Sequence, residues 1–197
     1  MRECRARVLV NAAGPWAPQI ARGIRPAIEI PAVELVQGTH IVVPGHITAG
    51  IYYVESPSDG RAVFIIPWHG ATLIGTTETS FHGEPDQVHP LPEEEDYLLA
   101  VGRRYFPALR HLGRADITER FAGLRVLPAS PGKAFGKSRE TMLIADRPAR
   151  PRVLSIYGGK LTAWRATAEQ ALNHIETALP RRRGRIATDS LILRRIL

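Results

Sequence analysis

The chain has 197 residues, 44% of them hydrophobic and 23% charged, a balance that excludes a disordered polymer and fits one domain or two small ones. Lys and Arg number 26 against 19 acidic residues, giving a formal charge of +7, with Arg181, Arg182, Arg183, Arg185, Arg194 and Arg195 concentrating the surplus in the tail. No apolar run approaches the ~20 residues that cross a bilayer; one cysteine, Cys4, permits no internal disulfide, and no Cys/His spacing suggests a zinc site.

Val8–Ala13 is apolar at nearly every position and ends in Gly14-Pro15, the pattern of a fully buried parallel-sheet strand. The stretch that precedes it is too short for a signal peptide. No helix–strand alternation follows, so the sequence shows this strand no partner. From Pro31 to Thr79 the pattern becomes antiparallel: strands over 33–43, 51–55, 61–68 and 71–79, rich in Val, Ile, Thr and aromatics. Ser58-Asp59-Gly60 and His69-Gly70 are turn signals, the second short enough for a tight hairpin.

A helix is expected from Pro92, with Glu93 to Asp96 in its first turn, Arg103 and Arg104 in its last, a buried stripe of Tyr97, Leu98, Val101 and Tyr105, and a stop at Pro107. Strands over 117–127, 140–145 and 153–157 follow. The last helix spans about 163–179, with Thr162 as its N-cap and Trp164, Ala168, Ala171, Leu172, Ile175 and Leu179 on one face. The arginine tail after it suits a solvated segment or an anionic surface. No nucleic-acid motif accompanies it, and no aromatics interleave the arginines, so no nucleic acid is expected as partner.

Chemistry concentrates at Ser155–Thr162, where a strand runs into Gly158-Gly159, then Lys160, then a helix start. Two glycines let the backbone approach a ligand, and free N–H groups at a helix start favour an anion. The glycine spacing matches neither a P-loop nor a dinucleotide fingerprint. Taken alone, such a pair is more often a simple turn than a site.

Six separated motifs keep order and rough spacing: Asn11–Trp16, Gln37–Pro44, Ile66–Trp68 with Gly75–Glu78, Gly123–Pro128, Ser138-Arg139 and Gly158–Arg165. Together, from about residue 6 to 180, they resemble the FAD-dependent glycerol-3-phosphate dehydrogenases of the D-amino-acid-oxidase-like flavoprotein superfamily. Glu78 stands where that family commonly carries Asp. The resemblance implies oxidation of the secondary alcohol of sn-glycerol 3-phosphate to dihydroxyacetone phosphate, with electrons passing on to a membrane quinone or, in oxidase relatives, to oxygen.

It further implies Arg125 and Arg139 as the phosphate-binding pair, since arginine offers a planar bidentate fork. A lone arginine otherwise makes surface ion pairs. His40 corresponds to the substrate-site histidine and, near its free pKa, can take the hydroxyl proton; the plain alternative is a satisfied strand histidine. Lys160 matches a catalytic lysine near flavin and substrate. Gly14, Gly159, Lys160, Leu161 and Thr162 become flavin contacts, and Trp16 and Trp68 are assigned to the core.

The expected fold is α+β. A mainly antiparallel substrate-domain sheet with covering helices (31–150) is joined by remnants of a flavin-binding α/β domain (1–30 and 151–180) and followed by the basic tail (181–197). The family's amino-terminal half, whose glycine fingerprint holds the ADP part of FAD, has no counterpart, so the chain reads as a carboxyl-side portion whose complete FAD site requires that half. A homo-oligomer or a separate amino-terminal chain is then the expected partner, in a cytoplasmic setting with peripheral attachment to the inner membrane. Two other readings stand beside this one: a related oxidase or dehydrogenase of a hydroxy acid or amine, and a folded fragment without catalysis.

Overall fold

The computed structural model describes residues 3–47, 49–129, 139–181 and 188. Among these the elements run β1 (Leu9–Asn11), α1 (Ala17–Arg22), β2 (Val33–Val43), β3 (Tyr52–Glu55), β4 (Ala62–Trp68), β5 (Ala71–Gly75) and β6 (Thr79–Phe81). They continue with α2 (Pro92–Tyr105), β7 (Glu119–Pro128), β8 (Met142–Ala145), β9 (Val153–Tyr157) and α3 (Trp164–Ile175). The fold is α+β, with antiparallel pairing dominant.

The chain divides into two units, one formed by Met1–Pro31 with Ser138–Leu197 and the other by Ala32–Lys137. The first holds a three-stranded sheet of order β1-β9-β8. Here the expectation of a partnerless first strand is corrected: β1 pairs in parallel with β9, Leu9 against Val153 and Asn11 against Ser155. Its partner arrives from the far end of the chain, a separation that hydrophobic periodicity cannot reveal. The second boundary also shifts, because β8 pairs antiparallel with β9, Met142 against Tyr157, and so belongs to this unit and not to a domain ending at 150.

Leu154 packs with Ala171 and Ile175 of α3. The helix shows its sequence stripe only in part, since Trp164 and Leu172 are exposed. Thr162 is not its N-cap: it sits inside a 3-10 turn over Leu161–Ala163 and makes no capping bond. Asp146 ties the β8–β9 connection together, accepting from the backbone N–H groups of Arg152 (2.9 Å) and Val153 (3.1 Å) and from Arg152 Nε (2.7 Å). The same guanidinium donates to the carbonyls of Arg25 (2.9 Å) and Pro26 (2.7 Å).

The second unit is built on β2, an unbroken eleven-residue strand whose apolar length lets it serve neighbours on both edges. Along one edge β7 pairs with it from Val33–Pro128 to Val42–Glu119. Along the other, β5 takes His40–Val43 and β6 takes Leu35–Gln37. The predicted single strand over 71–79 is therefore two strands, with 76–78 leaving the ladder at Thr39, where Thr77 N donates to Thr39 O (3.3 Å). His69 (φ 47°) and Gly70 (φ 81°) form the two-residue hairpin between β4 and β5, both in the left-handed region that such a turn requires.

Strand alternation gives this sheet two faces. One face carries Ile41, Ile65 and Ile74 in a row and packs against Leu98, Leu99 and Val101 of α2. The α2 stripe differs from the predicted one: Leu99, Gly102, Glu94 and Glu95 are buried, whereas Tyr105 is exposed and donates to Glu55 O (2.7 Å). The opposite face carries the row Phe64, Gly75, His40 and Phe121, and this is the face that positions the site.

Candidate functional site

His40 lies across the sheet from Gly75 on β5 and Phe121 on β7. Its ring stacks on Phe121, with centroids 5.0 Å apart and planes 10° from parallel. A side chain at 75 would collide with the imidazole, the ideal β-carbon falling 2.6 Å from His40 Cγ. The glycine is thus part of the seat, and the ring is held by packing from two strands. Burial, and secondarily the positive charge of Arg125, lower the His40 pKa below its ordinary value, so the imidazole is neutral near pH 7. The neutral ring keeps a nitrogen lone pair free to accept a proton, and the neighbouring cation makes it a weaker base.

Arg125 comes from β7, opposite Val36, and its guanidinium crosses the face above Gly38. A β-carbon on Gly38 would stand 2.6 to 2.7 Å from both terminal nitrogens and 2.6 Å from Thr76 Oγ1. Arg125 Nη2 donates to Thr76 Oγ1 (3.1 Å) and Nη1 to Thr77 O (3.3 Å). Two glycines, Gly38 and Gly75, therefore clear the space in which one cation and one ionisable ring share a sheet face. Sequence reasoning reached His40 and Arg125 through the family motifs. It did not assign Gly38, Thr76 or Phe121, and only the alternation of β2 against β7 could have aligned them.

Arg139 and Lys160 belong to the other unit and are exposed there. Ser138, the companion of Arg139 in its motif, lies outside the described residues, as does the basic tail apart from residues 181 and 188. In that first unit β1 and β9 are parallel neighbours, so the turns that follow them leave the same edge of the sheet, the carboxyl edge where ligands of open α/β sheets bind. After β1, Gly14 (φ 55°) leads into a 3-10 turn; an added β-carbon there would meet nothing within 4 Å. Asn11, buried, braces this turn by donating to Ala17 O (2.9 Å) and accepting from Ala13 N (3.4 Å); the sequence offered no sign of that role.

After β9, Gly158 (φ 67°) and Gly159 (φ 92°) both adopt the left-handed backbone, and a side chain at 159 would run into Thr141 Oγ1. Lys160 follows in extended conformation, and no side chain caps the N–H groups of the helical turn that begins at Leu161. Leu161, Thr162 and Trp164 are exposed, Leu161 at 88%. Trp16 and Trp68, assigned to the core from sequence, are partly exposed instead. Gly14, Gly159, Lys160, Leu161 and Thr162 thus lie on two turns at one sheet edge, where an uncapped helical turn suits a partly anionic group. Among the described residues no cluster of His, Cys, Asp and Glu could hold a metal ion.

The family of FAD-dependent oxidoreductases (DAO) matches residues 2–165 of this sequence. The chain belongs to that family. It is 38% identical over 178 residues to a glycerol-3-phosphate dehydrogenase of Pseudomonas aeruginosa, covering 87% of this chain and 34% of that protein. It is 32% identical over 185 residues to the D-erythritol 1-phosphate dehydrogenase of Brucella abortus, covering 93% of this chain and 36% of the relative. The FAD-bound crystal structure of the Bacillus halodurans glycerol-3-phosphate dehydrogenase superposes with a TM-score of 0.69 at 31% identity, over 85% of this chain and 31% of that one. The chain spans about a third of the length of these relatives.

Proposed function

We propose that this chain is the substrate-side portion of a flavin-linked dehydrogenase that oxidises a phosphorylated polyol, sn-glycerol 3-phosphate, to the ketone dihydroxyacetone phosphate. The observation that carries the reading is Arg125 laid across Gly38 beside a neutral His40. A phosphate dianion is matched by a guanidinium fork, and a secondary alcohol giving up its carbon-bound hydrogen must also release its hydroxyl proton. Arg125 holds the phosphate. His40 Nε2 or Nδ1 takes the hydroxyl proton, and the stack on Phe121 keeps the ring from turning away.

FAD, when bound, supplies the two-electron acceptor for the carbinol hydrogen. The residues that would hold it are Gly14, Gly159, Lys160, Leu161 and Thr162, with Lys160 offsetting negative charge that develops in the reaction. The two relatives named above act, by their names, on glycerol 3-phosphate and D-erythritol 1-phosphate, and a shared polyol phosphate class supports the phosphate role of Arg125. Onward transfer to a membrane quinone, and attachment at the membrane surface, belong to the same reading. Among the described residues no helix is long and apolar enough to cross a membrane. Leu9 and Val10, 45% and 41% exposed on the edge strand β1, support association with a further chain or a second copy.

Calorimetric titration of the full chain with sn-glycerol 3-phosphate, D-erythritol 1-phosphate, lactate and glycine tests the substrate class. The phosphate esters are expected to bind at least about tenfold more tightly than the two carboxylates, and Arg125→Ala to erase the difference. Equal or tighter binding of lactate or glycine would move the chain to the hydroxy-acid and amine branch of the family.

A further inference from the structure

Glu94 reads from sequence as one of four acids at a helix start, where an exposed carboxylate complements the dipole. The structure buries it, 5% exposed, and surrounds it with five donors. Oε2 accepts from Gln37 Nε2 (2.6 Å), Thr39 Oγ1 (2.5 Å) and Leu91 N (3.2 Å). Oε1 accepts from Thr77 Oγ1 (2.7 Å) and Thr79 Oγ1 (2.8 Å). Burying a carboxylate costs several kcal/mol before its partners repay it, far more than a helix start requires. What this expense secures is the 77–79 segment that leaves the ladder between β5 and β6.

That segment is where Arg125 is aimed. Thr77 offers its hydroxyl to Glu94 on one side of the sheet, while its carbonyl accepts Arg125 Nη1 on the other. The same hydroxyl accepts from Thr39 N (2.9 Å), stitching the segment to β2 one residue from Gly38 and one from His40. Arg61 steadies the next residue, donating to Glu78 O (3.0 Å). We propose that Glu94 is the positioning residue of the anion site: from the helix-covered face it fixes Thr77 and Thr79, and thereby holds the guanidinium of Arg125 over Gly38. The proposal rests on the reading of Arg125 as an anion ligand only for its purpose, since the positioning itself is measurable without a ligand.

Glu94→Gln separates the two halves of the carboxylate. Gln37 Nε2 also donates to His89 O (2.8 Å), which fixes that amide as a donor toward Glu94. The new side-chain oxygen must therefore take the place of Oε2, satisfying Gln37, Thr39 and Leu91. Its NH2 group then stands where Oε1 was, so Thr77 and Thr79 exchange a carboxylate acceptor for an amide donor and must turn their hydroxyls to accept. The fold keeps three of five bonds unchanged, while the two that hold the 77–79 segment lose their charge assistance and their grip loosens.

The readout is the ring titration of His40, followed by NMR on the full chain. His40 is flanked by uncharged Gly75 from β5 and Phe121 from β7, and Arg125 from β7 is the cation that acts on it. Loss of the Glu94 charge alone would lower the His40 titration further, whereas departure of Arg125 raises it. The proposal predicts an upward shift in Glu94→Gln, and in Thr79→Val in the same direction but smaller. An unchanged or falling titration in these variants overturns it; if Glu94→Gln fails to fold, Thr79→Val decides. Inorganic phosphate added to the unmodified chain raises the His40 titration if Arg125 is an anion ligand, and Glu94→Gln then weakens that binding about tenfold. Phosphate without effect on the unmodified chain would strike the anion-site reading and leave the positioning arm intact.

Discussion

Gly38→Ala is expected to cut binding of sn-glycerol 3-phosphate about 100-fold while lowering the melting temperature by only a few degrees. Gly38 is buried in the middle of β2, and its backbone is ordinary strand, so alanine brings no conformational strain there. The injury is steric. The new β-carbon would fall 2.6 to 2.7 Å from the Arg125 nitrogens and 2.6 Å from Thr76 Oγ1. Of these neighbours the guanidinium, at the end of a long side chain, yields most easily, so the sheet survives and the anion ligand is displaced.

The control lies directly across the ladder. Gly123 pairs with Gly38, yet an added β-carbon there meets nothing within 4 Å. Gly123→Ala should leave binding unchanged. Calorimetry and thermal melts on both variants check the pair. Equal loss in both, or none in Gly38→Ala, would show that Arg125 does not act from above Gly38.

Acid should unfold the chain more readily than its basic composition suggests, with a fall in melting temperature on the order of 10 °C between pH 7 and pH 3, from roughly 3 kcal/mol of lost charge-assisted hydrogen bonding. For Glu94 burial alone would raise the pKa, but bonds from Thr39, Thr77, Thr79 and Leu91 outweigh it and hold the carboxyl below its ordinary value near 4.5. For Asp146 burial also raises, and is outweighed by the backbone N–H groups of Val153 and Arg152 and by the Arg152 guanidinium, so its pKa lies below 3.8. A folded pKa below the unfolded one means that the unfolded chain binds the proton first. The stabilisation is full above about 4.5 and drains away as pH falls through the folded values.

His40 acts in the same sense at higher pH. Its folded pKa is lowered, so folding favours the neutral ring and the contribution declines as pH drops below 6.5. Each unit thus carries its own acid-sensitive carboxylate, Asp146 in one and Glu94 in the other. Melting curves across this range check the sum, and Glu94→Gln should flatten the acid limb. A pH-independent melting temperature would contradict the network drawn here.

The strands of this fold were legible wherever local pattern was enough. Val33–Val43 and Val153–Tyr157 have the predicted bounds because β-branched runs and flanking turns define them, and His69-Gly70 marks its hairpin by chemistry alone. What pattern could not supply was pairing between distant segments. The parallel union of β1 with β9 depends on residues separated by the whole second unit, and β8 enters that sheet only through its antiparallel pairing with β9. The split of 71–79 was hidden for a related reason: two short strands share one edge of β2, and nothing local in Thr76–Glu78 announces the gap.

The site divides in the same way. His40 and Arg125 were reachable because motifs carry them, and the structure sets both on one face of β2 and β7. Gly38 and Gly75 mattered for an absent side chain, which only coordinates reveal. Glu94 was the most misleading residue, since Pro92 and its acidic neighbours make it look like a helix-start charge, when Gln37 and Thr39 within β2, with Thr77 and Thr79 from the segment beside it, make a place for it.

Chemical-shift mapping of the labelled full chain during titration with sn-glycerol 3-phosphate addresses the central claim most directly. Signals of Gly38, His40, Gly75, Thr76 and Arg125 should move together and saturate at one ligand concentration. Shifts confined to the arginine tail, or none on this face of the sheet at saturating ligand, would contradict a phosphate site built on Arg125 and His40.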